Sequence, residues 1–266
     1  MGEMQPQPEN TPDILYKHRY FDSDNYHLNI IRNSSLYFTS ADKFNDPYDS
    51  TLQFRYSDDP KGIMRKWAVE VMKSRFPDMT KMKRALLVEK RLCEIRADKN
   101  YFVKAADYSN EVNLKRFGIC SLTPNPENLL MWAHYSFNHT GFCVGFDTKK
   151  LLTAQYAMAK TQLIGLRQIQ YENDYPKINF FQAMDLSGHG DDIITLLTTK
   201  SSEWDYEEEY RLLLWDHINL EVVFSPNIIA EIRLGCRISQ ENKTTLLNAL
   251  SKIGFVSRQS NSDKIA

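Results

Sequence analysis

The segment 204–215, which reads WDYEEEYRLLLW, limits what this chain can fold into more than any other. Aromatic or aliphatic side chains occupy most of its even positions, and charged side chains occupy its first four odd positions. That period of two is typical of a half-buried β-strand, whereas a helix would spread the aromatic side chains around its axis. The sequence therefore predicts a strand, with Glu207 and Glu209 on one face about 7 Å apart and Arg211 beside them.

Two carboxylates at that spacing need a physical reason to be there. Like charges so close destabilise each other unless they are solvated, paired with a cation or used in a reaction. The functional interpretation is a site where positive charge develops, such as an oxocarbenium-like sugar carbon. The structural alternative is an exposed acidic edge on which Glu207 or Glu209 pairs with Arg211 or with a neighbouring strand. Taken alone, the segment favours the structural alternative.

Composition excludes several classes of protein. The 266 residues carry a formal charge of -1, so no global charge indicates a nucleic-acid coat or an acidic tail. Four widely spaced cysteines without a C-x-x-C pair are typical of reduced core residues. No apolar run is long enough to cross a bilayer, and no signal segment is evident. A soluble cytoplasmic protein, with no membrane partner, is the expectation.

The pattern changes along the chain and predicts its domain organisation. Residues 1–12 have too little apolar content to fold and are expected to be a disordered lead. Strands and helices alternate irregularly over 13–58 and 115–266, which predicts an α+β core. Residues 59–114 are helical in pattern and read as an insertion. Within it, 61–104 holds 13 Lys and Arg against 5 Asp and Glu. That excess fits a solvated helical face, or a surface for RNA or DNA.

Common catalytic motifs are missing from the sequence. His134 and His139 are five residues apart, which does not give the one-face histidine pair of a zinc protease helix. There is no G-x-S-x-G elbow, no phosphate-binding P-loop and no G-x-G-x-x-G. A hydrolase triad, a metal site and a glycine phosphate loop are therefore not expected.

Polar side chains do collect near the ends of predicted strands. Each has an ordinary structural explanation; Asn45-Asp46-Pro47, for example, forms a turn in many proteins. Together with the glutamate pair they indicate a site. The set comprises Lys17, His18, Arg19, Thr39, Ser40, Asn45, Asp46, Ser121, His134 and Tyr135.

Several short motifs together resemble a bacterial family catalogued as a domain of unknown function. They are FNDPYD after the LYFTS strand, then CSLT, then LMWAHY with H-x-G shortly after, and finally WDYEEEYR. The likeness runs from Leu15 to about Leu234. At a greater distance the layout is similar to the ADP-ribosyltransferase superfamily, in which an early strand carries Arg or His and a late strand carries E-x-E. Here Lys17-His18-Arg19, Ser121-Leu122-Thr123 and Glu207-Glu208-Glu209 stand in those places.

That resemblance implies an ADP-ribosyltransferase-like mixed or antiparallel β core with a helical insertion, and NAD as substrate without a metal. Glu209 would stabilise the ribose cation, Glu207 would orient or deprotonate the acceptor, and Arg19 would hold the diphosphate. The remaining NAD-binding residues would be His18, Thr39, Ser40, Asn45, Asp46, Ser121, His134 and Tyr135.

The biological role implied is a toxin or anti-phage effector that modifies a nucleic acid, RNA being favoured, or a protein. An antitoxin or regulatory protein would restrain it. The alternative is a non-catalytic module that binds a nucleotide or nucleic acid in the same pocket.

Overall fold

The computed structural model describes residues 10–46, 48–50, 54–55, 62–98, 100–101, 103–104, 107–108, 115–158, 163–174, 176, 178–179 and 190–255. The chain divides into two compact units. The first unit consists of Met1–Phe44, Lys115–Tyr171 and Ser202–Ala266, and the second of Asn45–Leu114 and Glu172–Ser201. The second unit thus takes in the segment 59–114 predicted as a helical insertion and, in addition, residues 45–58 and 172–201. Residues 1–9 of the predicted disordered lead lie outside the described residues.

The described strands are β1 (Ile14–Arg19), β2 (Ser35–Ser40), β3 (Phe54–Arg55), β4 (Phe117–Leu122), β5 (Phe142–Asp147), β6 (Leu163–Gln168), β7 (Gln170–Glu172), β8 (Ile178–Asn179), β9 (Thr199–Ser201), β10 (Tyr210–Trp215), β11 (Leu220–Val223) and β12 (Ile229–Leu234). The described α-helices are α1 (Asn29–Arg32), α2 (Ile63–Arg75), α3 (Lys81–Ala97), α4 (Leu129–Tyr135), α5 (Thr148–Met158), α6 (Gly190–Leu197) and α7 (Gln240–Lys252).

Two antiparallel sheets form the first unit. One has the order β1-β5-β12 and the other the order β11-β2-β4-β10-β6. A bridge between Tyr16 and Thr123 joins β1 to the end of β4. Buried side chains from both sheets, among them Leu15, Phe142 and Leu212, pack in one hydrophobic cluster. Antiparallel sheets with helices packed on them confirm the α+β class predicted from the sequence.

The β1–β5 pairing brings its two chains unusually close at one point. Arg19 lies opposite Phe142, and the preceding residue on the β5 side is Gly141. A Cβ atom on Gly141 would overlap the carbonyl oxygen of Arg19. Only glycine allows this approach, so it fixes where β1 ends and where the polar side chains at that end lie.

A helical hairpin of α2 and α3 dominates the described part of the second unit. The chain turns over 76–80, and the Thr80 hydroxyl caps α3 by accepting from the Lys83 N–H. Met64 and Ala68 of α2 pack against α3 residues, of which Val88 and Leu92 are buried. Nearly all the hairpin's charged side chains face solvent, as expected for amphipathic helices around a small core. No helix among the described residues is long and apolar enough to span a membrane.

The strand predicted over 204–215 is wrong in its first half. Ser202–Glu207 forms a 3₁₀-helix, Glu208 has φ 45°, and β10 begins only at Tyr210. The expected exposed face is also absent, because Glu207, Glu209 and Arg211 are buried together with Tyr210, Leu212 and Leu214. β10 is a central strand covered on both faces, so alternation along it carries no information about which side is exposed.

Candidate functional site

The three consecutive glutamates turn sharply just before β10. Glu208 adopts a left-handed conformation and is exposed, whereas Glu207 and Glu209 are only 4% and 3% exposed. Left-handed backbone is unfavourable for a residue with a side chain, and such strain is often found at functional sites. The turn places two carboxylates inside the protein, in contrast to the exposed acidic edge considered above.

Glu209 forms a bidentate ion pair with Arg211 inside the first unit. Arg211 Nε and Nη2 lie 2.7 and 3.2 Å from the two carboxylate oxygens, and the Arg211 side chain is fully buried. The guanidinium carbon also lies 5.1 Å from the centre of the Phe44 ring. On the other side, the Glu209 N–H donates to the Tyr171 hydroxyl at 2.7 Å. These contacts fix the Glu209 carboxylate in one orientation.

Glu207 is held by the end of helix α4. The Tyr135 hydroxyl donates to Glu207 Oε1 at 2.6 Å. Asn128 caps α4, because its Oδ1 accepts from the Leu130 and Met131 N–H groups, and its Nδ2 donates to the Tyr206 carbonyl at 2.6 Å. The segment that starts α4 therefore also anchors the glutamate turn.

Two cationic side chains of β1 belong to the same site. Lys17 and Arg19 lie on the face of β1 that carries the core residue Leu15, and both are half-buried. Lys17 Nζ donates to the Ser121 carbonyl at 2.5 Å, and Arg19 Nη1 donates to the His18 carbonyl at 3.2 Å. Neither has a carboxylate within ion-pair distance in the part of the chain that the structure describes.

Burial and nearby charges both affect the pKa of Lys17. Burial lowers the pKa of Lys17 to about 8, and Arg19 acts in the same direction. Glu209 and Glu207 both act to raise it. Burial likewise lowers the pKa of Arg19. Unpaired half-buried cations are costly, and an anion bound here would relieve that cost.

His18 faces away from this cluster. Its ring is 3% exposed and meets the Trp132 ring edge-on at 4.9 Å. Burial lowers the pKa of His18 to about 4, so the ring is neutral at physiological pH. The alternation of β1 thus puts Arg19 on the same face as Lys17 and His18 on the Trp132 side, a point that the sequence left open.

The other predicted site residues are spread more widely. Ser121 is half-buried and lies opposite Arg211 in the β4–β10 ladder, so both side chains share one face. Thr39 donates to the Ser40 carbonyl at 3.4 Å, and Ser40 is buried against Asn219 Oδ1 at 3.3 Å, a structural contact. His134 is exposed.

Asn45 and Asp46 belong to the second unit. Asn45 is exposed, and Asp46 Oδ1 accepts from the Tyr48 N–H at 2.9 Å, which is the local turn that the sequence also suggested.

Sequence reasoning assigned no role to three residues at the site. They are Lys17, which the sequence marks only as a polar side chain near a strand end, Tyr171, and Arg211, which the sequence marks only as a pairing partner of a glutamate. The available signal was the i, i+2 spacing of Glu209 and Arg211, which puts opposite charges on one face of an extended chain. Among the residues described, no three His, Cys, Asp or Glu side chains come together as ligands for a metal ion.

The first unit is thus an α+β domain with an acidic turn, Glu207–Glu209, that buries two carboxylates, and with two half-buried cations on one face of its first strand. Residues 131–212 match the model of a family described as "Protein of unknown function (DUF2971)". The match begins in α4, ends in β10 and includes the acidic turn with its partners Tyr135 and Arg211. It supports, over these residues, the expected likeness to a family without an assigned function. No curated protein and no solved structure matches the chain.

Proposed function

We propose that the first unit is an NAD-dependent ADP-ribosyltransferase with an ADP-ribosyltransferase-like fold. One observation carries the proposal: the half-buried cation Lys17 donates to the Ser121 carbonyl, and Ser121 lies opposite Arg211, the ion-pair partner of the buried Glu209. NAD needs such a combination, because its diphosphate is anionic while its ribose carbon becomes cationic during cleavage. The two antiparallel sheets, with cations on the first strand and glutamates before a late strand, agree with the same assignment.

The reaction breaks the bond between the nicotinamide nitrogen and the ribose carbon. Nicotinamide leaves with the bonding electron pair, and Glu209, oriented by Arg211, stabilises the resulting oxocarbenium ion. Glu207, held by Tyr135, orients the acceptor and takes its proton as the new bond to the ribose carbon forms. Arg19 and Lys17 hold the diphosphate, with the guanidinium suited to bidentate contact.

The test is nicotinamide release from NAD by the purified full chain, with RNA, DNA or cell lysate offered in turn as acceptor. Glu209→Gln and Glu207→Gln should abolish release. Glu208→Gln is the matched control, because Glu208 is the exposed member of the same turn and its carboxylate accepts a hydrogen bond from Asn125 Nδ2. Melting temperatures would show that each variant folds. No release with any acceptor, together with no binding of NAD, would refute the proposal.

One observation favours a second candidate, a non-catalytic module that binds a nucleotide or nucleic acid. The bidentate Glu209–Arg211 pair is fully buried, and pairs of this kind also occur as purely structural elements. This candidate expects NAD or another nucleotide to bind without turnover, and binding to survive Glu209→Gln. For the transferase, expression in bacteria should be toxic, Glu209→Gln should remove the toxicity, and an antitoxin or regulatory protein would be the natural partner.

A further inference from the structure

The segment that follows β6 holds both backbone polar groups of Glu209. The Glu209 carbonyl accepts from the Ile169 N–H at 2.9 Å, and the Glu209 N–H donates to the Tyr171 hydroxyl at 2.7 Å. Glu209 is buried, and buried backbone groups need partners of this kind. The second contact also places a hydroxyl group at the residue whose carboxylate acts in the proposed reaction.

The Tyr171 hydroxyl has a proton that this contact does not use. A tyrosine hydroxyl can donate one hydrogen bond and can also accept through its oxygen. The Glu209 N–H donates to the oxygen, so the O–H proton is directed elsewhere. No group among the described residues accepts that proton. Satisfying the Glu209 N–H needs only the oxygen, and this structural role therefore leaves a donor available.

A second tyrosine at the acidic turn, Tyr135, uses its hydroxyl in the opposite way. Its O–H donates to Glu207 Oε1 at 2.6 Å, so its proton is already bound within the protein. Tyr135 thus orients a carboxylate, whereas Tyr171 accepts from the backbone and keeps its proton for another partner. The two hydroxyls therefore have different uses at the same turn.

The Tyr171 hydroxyl is a donor and not an anion at physiological pH. The side chain is half-buried, and burial raises the pKa of Tyr171 above its ordinary value. The charges of Glu209 and Glu207 act in the same direction, and the Glu209 N–H opposes the shift without cancelling it. A ligand at this position therefore meets an O–H group that can give a hydrogen bond.

A sugar hydroxyl fits a site that offers this donor together with a carboxylate. The carboxylate of Glu209 can only accept, so a ligand hydroxyl that donates to it still needs a donor for its own oxygen. Tyr171 supplies that donor at the N–H of the same glutamate. A phosphate or carboxylate oxygen would be repelled by Glu209, and a carbon without a hydroxyl could use neither group. The pair therefore selects a group that both donates and accepts.

We propose that Tyr171 donates its hydroxyl proton to the 2′-hydroxyl of the ribose that carries nicotinamide, while that ribose hydroxyl donates to Glu209. Tyr171 is then a specificity-determining residue that distinguishes ribose from deoxyribose, because a deoxy substrate leaves the polar groups of the site without their shared partner. This inference deepens the proposed function and rests on it for the identity of the sugar.

The test is calorimetric binding to the full chain of NAD and of an NAD analogue whose nicotinamide ribose lacks the 2′-hydroxyl. All proteins carry Glu207→Gln, so that NAD is not consumed. Tyr171→Phe should weaken the binding of NAD about two- to tenfold more than that of the analogue, the range for one hydrogen bond. Tyr135→Phe is the matched control, because the proton of its hydroxyl is already bound at residue 207, and it should change both affinities by the same factor. Melting temperatures would show that each variant folds.

The outcomes separate this inference from the proposed function. Equal affinity of the Glu207→Gln parent for the two ligands would overturn the role of Tyr171 without any further variant, and so would equal losses caused by Tyr171→Phe. If the unsubstituted chain nevertheless releases nicotinamide from NAD, the transferase stands. A loss confined to NAD, without nicotinamide release by the unsubstituted chain, would support the role of Tyr171 and favour the non-catalytic module. No binding of NAD would refute both proposals.

Discussion

Positive charge is arranged in opposite ways in the two units. The helices α2 and α3 with their flanking residues, 62–98, carry ten Lys and Arg against five Asp and Glu. Their cations lie in solvent, and several form exposed ion pairs, such as Lys73 with Glu70 and Arg91 with Glu94. Strand β1 carries only Lys17 and Arg19, both half-buried and neither with a carboxylate partner among the described residues. Burial of a cation without a partner is the stronger sign of a binding site, because it costs free energy that solvated charge does not.

The largest effect is expected from the buried ion pair of the first unit. Arg211→Met leaves the buried Glu209 carboxylate without its bidentate partner and should lower the free energy of unfolding by about 3–5 kcal/mol. Urea unfolding of the full chain measures this. Arg65→Met is the control, because Arg65 pairs with Glu89 on the exposed surface and its loss should cost below about 1 kcal/mol. If the two variants lost the same free energy of unfolding, the buried and the exposed ion pair would contribute equally and the contrast between the two units would not hold.

Replacement of Asn128, which caps α4, should give the next largest loss of stability. Asn128→Ala removes both the helix cap and the donor to the Tyr206 carbonyl, and should cost about 2 kcal/mol. Asn128→Asp keeps the cap, loses only the donor and should cost about 1 kcal/mol. Thermal unfolding compares the two. If Asn128→Asp lowered the stability as much as Asn128→Ala does, the contact with Tyr206, and not the cap, would hold the glutamate turn.

Replacement of Lys17 should raise the stability of the protein, in contrast to the two substitutions above. Its folded-state pKa is lowered from 10.5 to about 8, so the cost of its charge is fully present below pH 8. Between about pH 8 and 10.5 the unfolded chain holds a proton that the folded chain does not, and stability should therefore rise with pH. Lys17→Met should stabilise the protein by about 1 kcal/mol at pH 7, after allowing for the lost bond to Ser121, and remove that rise.

Urea unfolding at about pH 7, 9 and 10.5 tests this prediction, because these pH values span the range between the folded and unfolded pKa values of Lys17. Lys66→Met is the control, since Lys66 is an exposed cation of α2. A Lys17→Met protein that is less stable than the parent at pH 7 would show that the ammonium group is a structural element. It would then no longer support an anion site.

The sequence predicted the first unit best where periodicity and end signals agree. The sequence pattern predicts a helix over 240–252, and α7 has these bounds, with Ser239 as its cap. The apolar run Phe142–Asp147 predicts a buried strand, and β5 has these bounds. The acidic turn could not be predicted, because a period of two assumes extended backbone and the left-handed Glu208 interrupts it. The neighbours of Glu209 could not be predicted either, since Tyr171 is brought to it by β6–β10 pairing.

The smallest loss of stability is expected from a substitution on the exposed surface of the α2–α3 hairpin. Lys73→Gln removes an i, i+3 pair with Glu70, whose partners are 53% and 44% exposed. Such pairs contribute about 0.2–0.5 kcal/mol in isolated helices, and salt screens them. The loss should therefore be near the detection limit in urea unfolding and disappear at high salt, whereas the Arg211→Met loss should persist, because solvent ions do not reach a fully buried pair. A salt-sensitive Arg211→Met loss would mean that water reaches the pair, and the site would then be open at the carboxylate assigned to the ribose cation.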